Sequence, residues 1–227
     1  MRDITVDELN TYLYCGEYYK QYLSNKNIEL YDDRTPPQLM YFILIKWLIA
    51  YKCQHGICPT EEQVIIKIAQ AISTLEKHGH KIVFASYIND IHLSLLEFRN
   101  LLQSIHIKKA LSINRYVRSG CSLSYLSLLE TKDTVYLFSY LPYRHAMNSP
   151  QVLIPLIESQ DKEHVLIQIV GNTLVYRDIG KEKLDLNKAD CYYTNAMKAL
   201  ALELYIPIHQ CTKTSCPNYG QCHIARK

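Results

Sequence analysis

The sequence predicts a mixed fold of the α/β (α+β) class, with a helical first half, a small sheet, one further helix and a cysteine-rich tail. Apolar residues recur at helical spacing through most of the first 130 residues. From Thr134 onward the pattern changes to short runs of β-branched and aromatic residues, which is typical of strands. Three cysteines then lie close together near the C-terminus.

Composition sets broad limits on function. The 227 residues are 48% hydrophobic and 21% charged, as in ordinary globular proteins. A net charge of +3 permits a nucleic-acid partner without arguing for one. No signal peptide follows Met1, and the most apolar run, Leu39–Tyr51, is too short to cross a bilayer. We therefore expect an intracellular protein with no membrane partner.

The first two helices are predicted from local signals. Thr5 and Glu8 fit a capping box, in which each side chain satisfies the other residue's backbone N–H. This helix is expected to run to about Cys15, with Gly16 placed to end it. Glu17–Leu23 then predicts a second short helix with an aromatic face.

Further helices are expected up to residue 117. Leu39–Tyr51 reads as a buried helix, and Cys53–Pro59 breaks the chain after it. Thr60–Gln63 is a second capping-box pattern and opens a helix that ends near Gly79. Tyr87–Val117 is predicted to be mostly helical.

Four strands and a final helix are expected next. The strands are Val135–Leu141, Val152–Ile157, His164–Val170 and Thr173–Arg177, with a hairpin turn at Ser159–Glu163. Apolar residues at helical spacing predict a helix over Ala189–Leu204.

The tail predicts a metal or cluster site. Cys211, Cys216 and Cys222 follow a C-x4-C-x5-C spacing, with Pro217 and Gly220 to bend the backbone. Closely spaced thiolates on short loops are what zinc and iron–sulfur clusters require. In a reducing compartment, eight cysteines do not indicate four disulfides.

The fourth ligand is open at this level. Cys15 is one candidate, and zinc held by the tail with His209 or His223 is the alternative. The remaining cysteines are expected to be small buried residues: Cys53, Cys58, Cys121 and Cys191.

This arrangement resembles a known family. A capped helix leading to a lone cysteine, a helical insert, a small sheet, a helix and a terminal C-P-x-x-x-x-C pattern are similar to the iron–sulfur branch of the PD-(D/E)XK nuclease superfamily. That branch includes the CRISPR-associated RecB-like exonucleases and the AddB subunit of recombination nucleases. The resemblance implies a [4Fe–4S] cluster bound by Cys15, Cys211, Cys216 and Cys222.

Two motif positions depart from the family, which usually has two residues between the first tail cysteines and a proline where this chain has Gly16. The resemblance implies a single nuclease-like domain over residues 1–227. Within it, 36–130 would be a helical insert, 131–206 the sheet-containing core, and 207–227 a tail closing on Cys15.

The family's catalytic residues are not found where they are expected. These nucleases place an aspartate on one strand and an (Asp/Glu)-x-Lys triplet on the next, so that carboxylates bind a divalent cation. The corresponding hairpin is predicted at Val152–Ile157 and Val165–Val170, where the strand interiors carry no carboxylate. We therefore expect a nuclease fold without nuclease activity.

Two surfaces could contact nucleic acid. Lys108, Lys109, Arg115 and Arg118 are expected, with His106, on the last helical stretch of the insert, where they either bind phosphate or form an ordinary solvated face. An N-terminal group of tyrosines could stack on bases or could pack in the core. That group is Tyr12, Tyr14, Tyr18, Tyr19 and Tyr22.

The function predicted from these observations is a catalytically inactive iron–sulfur nuclease-like protein. It would bind DNA or serve as a scaffold in a larger DNA-processing, transcription or defence complex with protein partners. One alternative is an active metal-dependent exonuclease whose carboxylates have moved to Glu158, Asp161 or Asp178. The other alternative is a structural protein stapled by zinc.

Overall fold

The structure, a computed structural model, describes residues 3–25, 34–80, 88–141, 143–179 and 184–205. These residues form eight helices and six strands, and the predicted α/β (α+β) class is confirmed. The helices are α1 Val6–Tyr14, α2 Gly16–Ser24, α3 Pro36–His55, α4 Glu61–Lys77, α5 Ile88–Ser104, α6 Tyr143–Ala146, α7 Pro150–Glu158 and α8 Leu186–Ala201. The strands are β1 Asp3–Thr5, β2 Lys109–Arg118, β3 Cys121–Glu130, β4 Thr134–Ser139, β5 Glu163–Val170 and β6 Thr173–Asp178.

The chain divides into two units by its internal contacts. Unit 1 comprises Met1–Asp32, Arg115–Tyr125 and Asp185–Lys227, and unit 2 comprises Asp33–Asn114 and Leu126–Leu184. The strands form one mixed sheet in the order β1-β3-β4-β5-β6, and β2 also pairs with β3. The domain limits expected from the sequence stay a prediction.

Unit 1 begins with the predicted capping box. The Thr5 backbone N–H donates to Glu8 Oε2 at 2.8 Å, and the Glu8 N–H donates to Thr5 Oγ1 at 3.1 Å. Helix α1 ends at Tyr14 because Cys15 is extended, and Gly16 starts α2 instead of ending α1. Both predicted N-terminal helices are present.

Unit 1 also contains β1, part of β3 and α8. Strand β1 runs parallel to β3, with Asp3 opposite Ser122 and Thr5 opposite Ser124. Helix α8 confirms the predicted C-terminal helix but starts three residues earlier than Ala189. Asp185 caps it by accepting the Lys188 N–H at 2.9 Å.

Unit 2 is built around α3, whose apolar residues face a shared core with α4, α5 and the sheet. The α3 residues that are at most 1% exposed are Met40, Tyr41, Leu44, Ile45, Leu48 and Ile49.

Of the helices that the structure describes, none is long and apolar enough to cross a membrane.

The central strands of unit 2 fix its sheet. Strand β4 pairs with β5 in parallel from Thr134 opposite Glu163 to Ser139 opposite Gln168. Strand β5 then pairs antiparallel with β6 through a two-residue loop whose first residue, Gly171, has φ of 60°. A glycine at that position suits the tight turns that connect twisted strands. The strands predicted at 135–141, 164–170 and 173–177 are thereby confirmed.

The helix predicted up to Val117 is wrong in its last part. Helix α5 ends at Ser104, and β2 and β3 replace helix in the segment 109–130. The physical reason is a two-residue hairpin turn, in which Ser119 and Gly120 have φ values of 49° and 81°. The alternating apolar residues Leu111, Ile113 and Val117 match the strand period of two.

The strand predicted at Val152–Ile157 is also wrong, because these residues belong to α7. Parallel strands need a crossover connection, and α7 is the helix between the parallel strands β4 and β5. A short apolar run does not by itself distinguish a buried strand from a buried helix. Pro150 at the first turn of α7 is the local signal that favours the helix.

We expect Thr60→Ala to lower the free energy of unfolding by about 1 kcal/mol, because it removes the side-chain cap of α4. In the structure the Thr60 hydroxyl accepts the Gln63 N–H at 3.3 Å. Urea unfolding followed by circular dichroism measures the change. Thr60→Ser keeps the hydroxyl and is the matched control, and an equal loss in both variants would contradict the role of the cap.

Candidate functional site

Cys15 lies at the elbow between α1 and α2 in unit 1. Its backbone N–H donates to Thr11 O at 3.0 Å, and its carbonyl accepts the Tyr19 N–H at 3.1 Å. The residue is 5% exposed, and as the N-cap of α2 it makes no side-chain capping bond. The partial positive charge at a helix N-terminus favours an anionic ligand such as a thiolate. Cys15 therefore suits one corner of a metal or cluster site.

Tyrosines pack around this elbow. The rings of Tyr12 and Tyr19 meet edge to face at 6.4 Å, and Tyr19 stacks on Tyr22 at 5.9 Å. The Tyr19 hydroxyl donates to Glu8 Oε1 at 2.8 Å. Tyr12, Tyr18 and Tyr19 are at most 9% exposed. Of the two readings of the tyrosine group, these three rings favour packing over base stacking.

The residues just before the tail contact α1 and α2. The Tyr12 hydroxyl donates to Leu204 O at 2.9 Å, and the rings of Tyr19 and Tyr205 are 6.2 Å apart. Both contacts lie within unit 1. Tyr12 and Tyr19 lie three positions before and four positions after Cys15 in the sequence. The residues that immediately precede the tail therefore contact the two helices that flank Cys15.

The other predicted ligands fall beyond residue 205. Cys211, Cys216 and Cys222, and the alternative ligands His209 and His223, lie outside the described residues. Within the described ranges, no group of three His, Cys, Asp or Glu side chains is placed to hold a metal ion. Of the four predicted ligands, Cys15 alone lies within the described residues, and the cofactor stays a prediction.

The cysteines outside the predicted site differ in exposure. Cys121 is buried and Cys58 is half-buried, and burial raises the pKa of the Cys58 thiol while Lys52 and Arg99 oppose the shift. Cys53 and Cys191 are exposed, so the expectation that they are buried residues is wrong. Cys53 lies in the last turn of α3, where the helix has left the core.

Two of the predicted phosphate-binding residues lie at the start of β2 in unit 2. Lys108 and Lys109 are exposed, and the Lys109 ammonium donates to Asn114 Oδ1. They are on a strand and the turn before it, not on the helical stretch expected from the sequence. Their exposure leaves both charges accessible to a partner.

The other two, Arg115 and Arg118, have carboxylate partners in unit 1. Arg115 Nη2 is 3.1 Å from Asp3 Oδ2, and Arg118 Nε is 2.9 Å from Asp190 Oδ1. Asp190 also accepts the Tyr116 hydroxyl at 2.6 Å, while the Arg118 guanidinium lies 4.5 Å from the Tyr116 ring centre. These partners reduce the charge that either arginine can offer to phosphate. The sequence did not indicate these two carboxylate partners, because each is distant along the chain from its arginine.

Carboxylates occupy only the ends of the strands. The acidic residues in the six strands are Asp3, Glu130, Glu163 and Asp178, each at the first or last position. The Glu130 carboxylate forms an ion pair with Lys162, and both side chains are largely buried, at 17% and 13% exposed. In the part of the chain that the structure describes, no strand interior therefore offers an acidic ligand. The hairpin expected at Val152–Ile157 and Val165–Val170 is absent from these residues, because Val152–Ile157 is helical.

Buried polar groups connect α7 to β5. The Ser159 hydroxyl lies 2.5 Å from Pro155 O and 2.8 Å from His164 Nε2. If the hydroxyl donates to the carbonyl, the imidazole must donate to Ser159 through Nε2. Gln168 Nε2 donates to Leu141 O at 2.9 Å. The contact between Ser159 and His164 ties the end of α7 to β5, and the Gln168 bond ties β5 to the residues that follow β4.

Comparison with known protein families finds no match, and comparison with curated proteins finds none. Among solved structures, the chain is similar to the protein in "Crystal structure of SSO0001", with 13% identity over 91% of this chain and 94% of that chain. The TM-score of 0.39 is too low to show a shared fold.

We expect Tyr116→Phe to cost about 1 kcal/mol of stability at pH 8, because it removes a buried hydrogen bond to Asp190. Burial, and then the hydrogen bond to Asp190, raise the pKa of Tyr116 to about 12. A tyrosine that binds its proton more tightly when folded stabilises the protein below pH 10, and this contribution is lost as the pH rises toward 12.

The cost of Tyr116→Phe should therefore shrink between pH 8 and pH 11, as measured by urea unfolding at each pH. Tyr192→Phe, at a side chain that is 57% exposed on α8, is the control and should change little at either pH. A cost that stays constant or grows with pH would contradict the assignment.

Proposed function

We propose that the protein is a catalytically inactive nuclease-like protein that binds nucleic acid as a subunit of a larger DNA-processing, transcription or defence complex. A [4Fe–4S] cluster on Cys15, Cys211, Cys216 and Cys222 joins its two ends. The observation that carries this proposal is the contact of Leu204 and Tyr205 with Tyr12 and Tyr19, because these residues precede the tail and lie at the helices that flank Cys15.

The chemistry of the elbow supports a thiolate-ligated cofactor. The Cys15 side chain is buried and is not used in capping α2. Iron–sulfur clusters are held by four cysteine thiolates, and the cluster would supply a covalent staple between the helical elbow and the tail. Its role in this proposal is structural.

The placement of carboxylates supports the absence of nuclease activity. A divalent cation that activates water for phosphodiester cleavage needs several converging oxygen ligands. Acidic residues in the six strands lie only at strand ends, and Glu130 is already paired with Lys162. The alternative carboxylates Glu158 and Asp161 lie at the end of α7 and in the following turn.

Exposed lysines support nucleic-acid binding. Lys108 and Lys109 are exposed side by side before and at the start of β2. Lysines that neutralise phosphates release counterions, so such binding weakens as salt increases. Arg115 and Arg118 contribute less in this proposal, because Asp3 and Asp190 accompany them.

We expect protein purified without oxygen to be brown and to contain about four irons and four sulfides per chain, as a [4Fe–4S] cluster requires. Cys15→Ser should lose most of the iron and the visible absorbance, because serine replaces one thiolate ligand. Cys53→Ser, at an exposed cysteine in unit 2, is the matched control and should keep both.

Other outcomes of this measurement separate the alternatives. Colourless protein with one zinc per chain would favour the zinc-stapled structural protein and would reject the proposed iron–sulfur cluster. Equal iron in Cys15→Ser and Cys53→Ser would show that Cys15 is not a ligand.

We expect salt-dependent binding of DNA in a fluorescence-anisotropy titration, with no cleavage in the presence of Mg²⁺ or Mn²⁺. The double variant Lys108→Gln/Lys109→Gln should weaken binding and lower the salt slope by about 1.4 for a single strand, since two phosphate contacts are lost. The exposed α8 lysines provide a control of equal charge, Lys188→Gln/Lys198→Gln. Metal-dependent cleavage by intact protein would favour the active-exonuclease alternative, and absence of any binding would reject the proposal.

A further inference from the structure

Helices α3 and α4 of unit 2 form a groove with two chemically different walls. Tyr51 on α3 contacts Gln63 on α4, and Trp47 lies beside Lys67, so the two helices run antiparallel. Near the start of α3, Ile43 lines a cavity of about 360 Å³ with Lys67 and Lys77. The lining of this cavity runs from Lys67 to Lys77 on α4, which is about three helical turns.

The α3 wall is apolar and aromatic. Ile43, Trp47, Tyr51 and His55 recur every four residues and so lie on one helical face. Ring centres are 5.7 Å apart for Trp47 and Tyr51 and 4.3 Å apart for Tyr51 and His55. Ile43, Trp47 and Tyr51 are half-buried, whereas His55 is exposed. One side of this row supports the core and the other is accessible.

The α4 wall is polar and basic. Gln63, Lys67, Gln70, Thr74 and Lys77 alternate at spacings of four and three residues, which places them on one face of the helix. Lys67 Nζ lies 5.9 Å from the Trp47 ring centre and 3.2 Å from Gln70 Oε1. Ammonium, amide and hydroxyl groups thus stand opposite the aromatic row.

The cavity between the two helices is basic, because its described lining residues include Lys67 and Lys77 and no carboxylate. Helix α3 carries Lys46 and Lys52 and contains no Asp or Glu in its 20 residues, whereas α4 has Glu61 and Glu62 in its first turn. The Lys46 ammonium lies 5.1 Å from the Phe42 ring centre, so a basic and an aromatic group also meet one position before the row of Ile43 and Trp47. An anionic ligand with flat apolar faces complements this surface.

We propose that the α3–α4 groove binds a single strand of nucleic acid. Bases lie against Trp47, Tyr51 and His55, and phosphates contact Lys67 and Lys77. Proteins that bind single strands combine stacking aromatics with a basic groove in this way, whereas a duplex keeps its base faces covered. This inference rests on the proposed nucleic-acid binding, and it adds a second contact surface to the one at Lys108 and Lys109.

The length of the α3 row from Ile43 to His55 fits a short segment of single-stranded nucleic acid. The twelve-residue separation of Ile43 and His55 corresponds to about 18 Å along a helix. Bases stacked along one strand are separated by about 3.4 Å, so this length accommodates a few nucleotides.

The single tryptophan of the chain provides a direct readout. Trp47 is the only tryptophan among the 227 residues, so its fluorescence reports this groove alone. Titration of the intact protein with oligothymidylate should quench Trp47 in a saturable, salt-sensitive way, because a base stacks on the indole. A duplex of equal length and a polyglutamate peptide should quench it much less.

Variants test the two walls separately. Lys67→Gln/Lys77→Gln should weaken oligothymidylate binding about tenfold and lower its salt slope by about 1.4. Tyr51→Leu should weaken binding about tenfold through lost stacking. Lys188→Gln/Lys198→Gln is the charge-matched control and should leave binding unchanged. Circular dichroism confirms that each variant is folded.

Failure of the groove inference and failure of the proposed nucleic-acid binding give different results. Anisotropy that shows strand binding, with Trp47 unquenched and Lys67→Gln/Lys77→Gln unaffected, overturns this inference and leaves the proposed function standing. Absence of any nucleic-acid binding rejects both. Equal quenching by polyglutamate assigns the groove to an acidic peptide, and equal quenching by duplex removes the single-strand assignment; either result overturns the inference.

Discussion

Burial of α3 is the interaction on which unit 2 depends. Six of its side chains are at most 1% exposed, and each fully buried large aliphatic residue contributes about 1.5–3 kcal/mol. Helices α4 and α5 and strands β5 and β6 supply the other side of this core. The other α3 residues are half-buried or exposed, and Trp47 and Tyr51 are among the half-buried ones. Packing of the six buried side chains therefore decides which aromatic residues of α3 reach solvent.

A single carboxylate has a comparable role in unit 1. Glu8 Oε2 accepts the Thr5 N–H at the start of α1, and Glu8 Oε1 accepts the Tyr19 hydroxyl from α2. One side chain thereby caps the first helix and ties the second to it. Cys15 sits at the bend between the two helices, so its position depends on the interactions that fix their angle. Tyr19 in turn contacts Tyr205, which extends the same cluster to the residues preceding the tail.

The sequence predicted those features that local signals determine. Two of the three capping boxes, at Thr5 and Thr60, and the buried α3 were predicted because a few neighbouring residues specify them. The strand β2 and the helix α7 were missed because their state depends on partners distant in the chain. The apolar run at Val152–Ile157 fits strand and helix equally, and only the parallel pairing of β4 with β5 requires a crossover helix.

The same limit applies to the candidate site. Cys15 was chosen as a candidate ligand from its position after a capped helix, and that role stays a prediction. The carboxylates opposite the arginines were not found, because Arg118 and Asp190 are 72 residues apart. Long-range ion pairs have no local signature, and they change what a basic residue offers to a ligand.

The apolar hairpin expected from the sequence is a helix and a strand in the structure, so the two segments do not pair with each other as a hairpin. In every strand that the structure describes, acidic side chains occur only at the first or last position. Glu130, at the end of β3, is paired with Lys162 in a largely buried site. Removing one partner of such a pair leaves a poorly compensated charge, so the ion pair with Lys162 accounts for a carboxylate at this largely buried position.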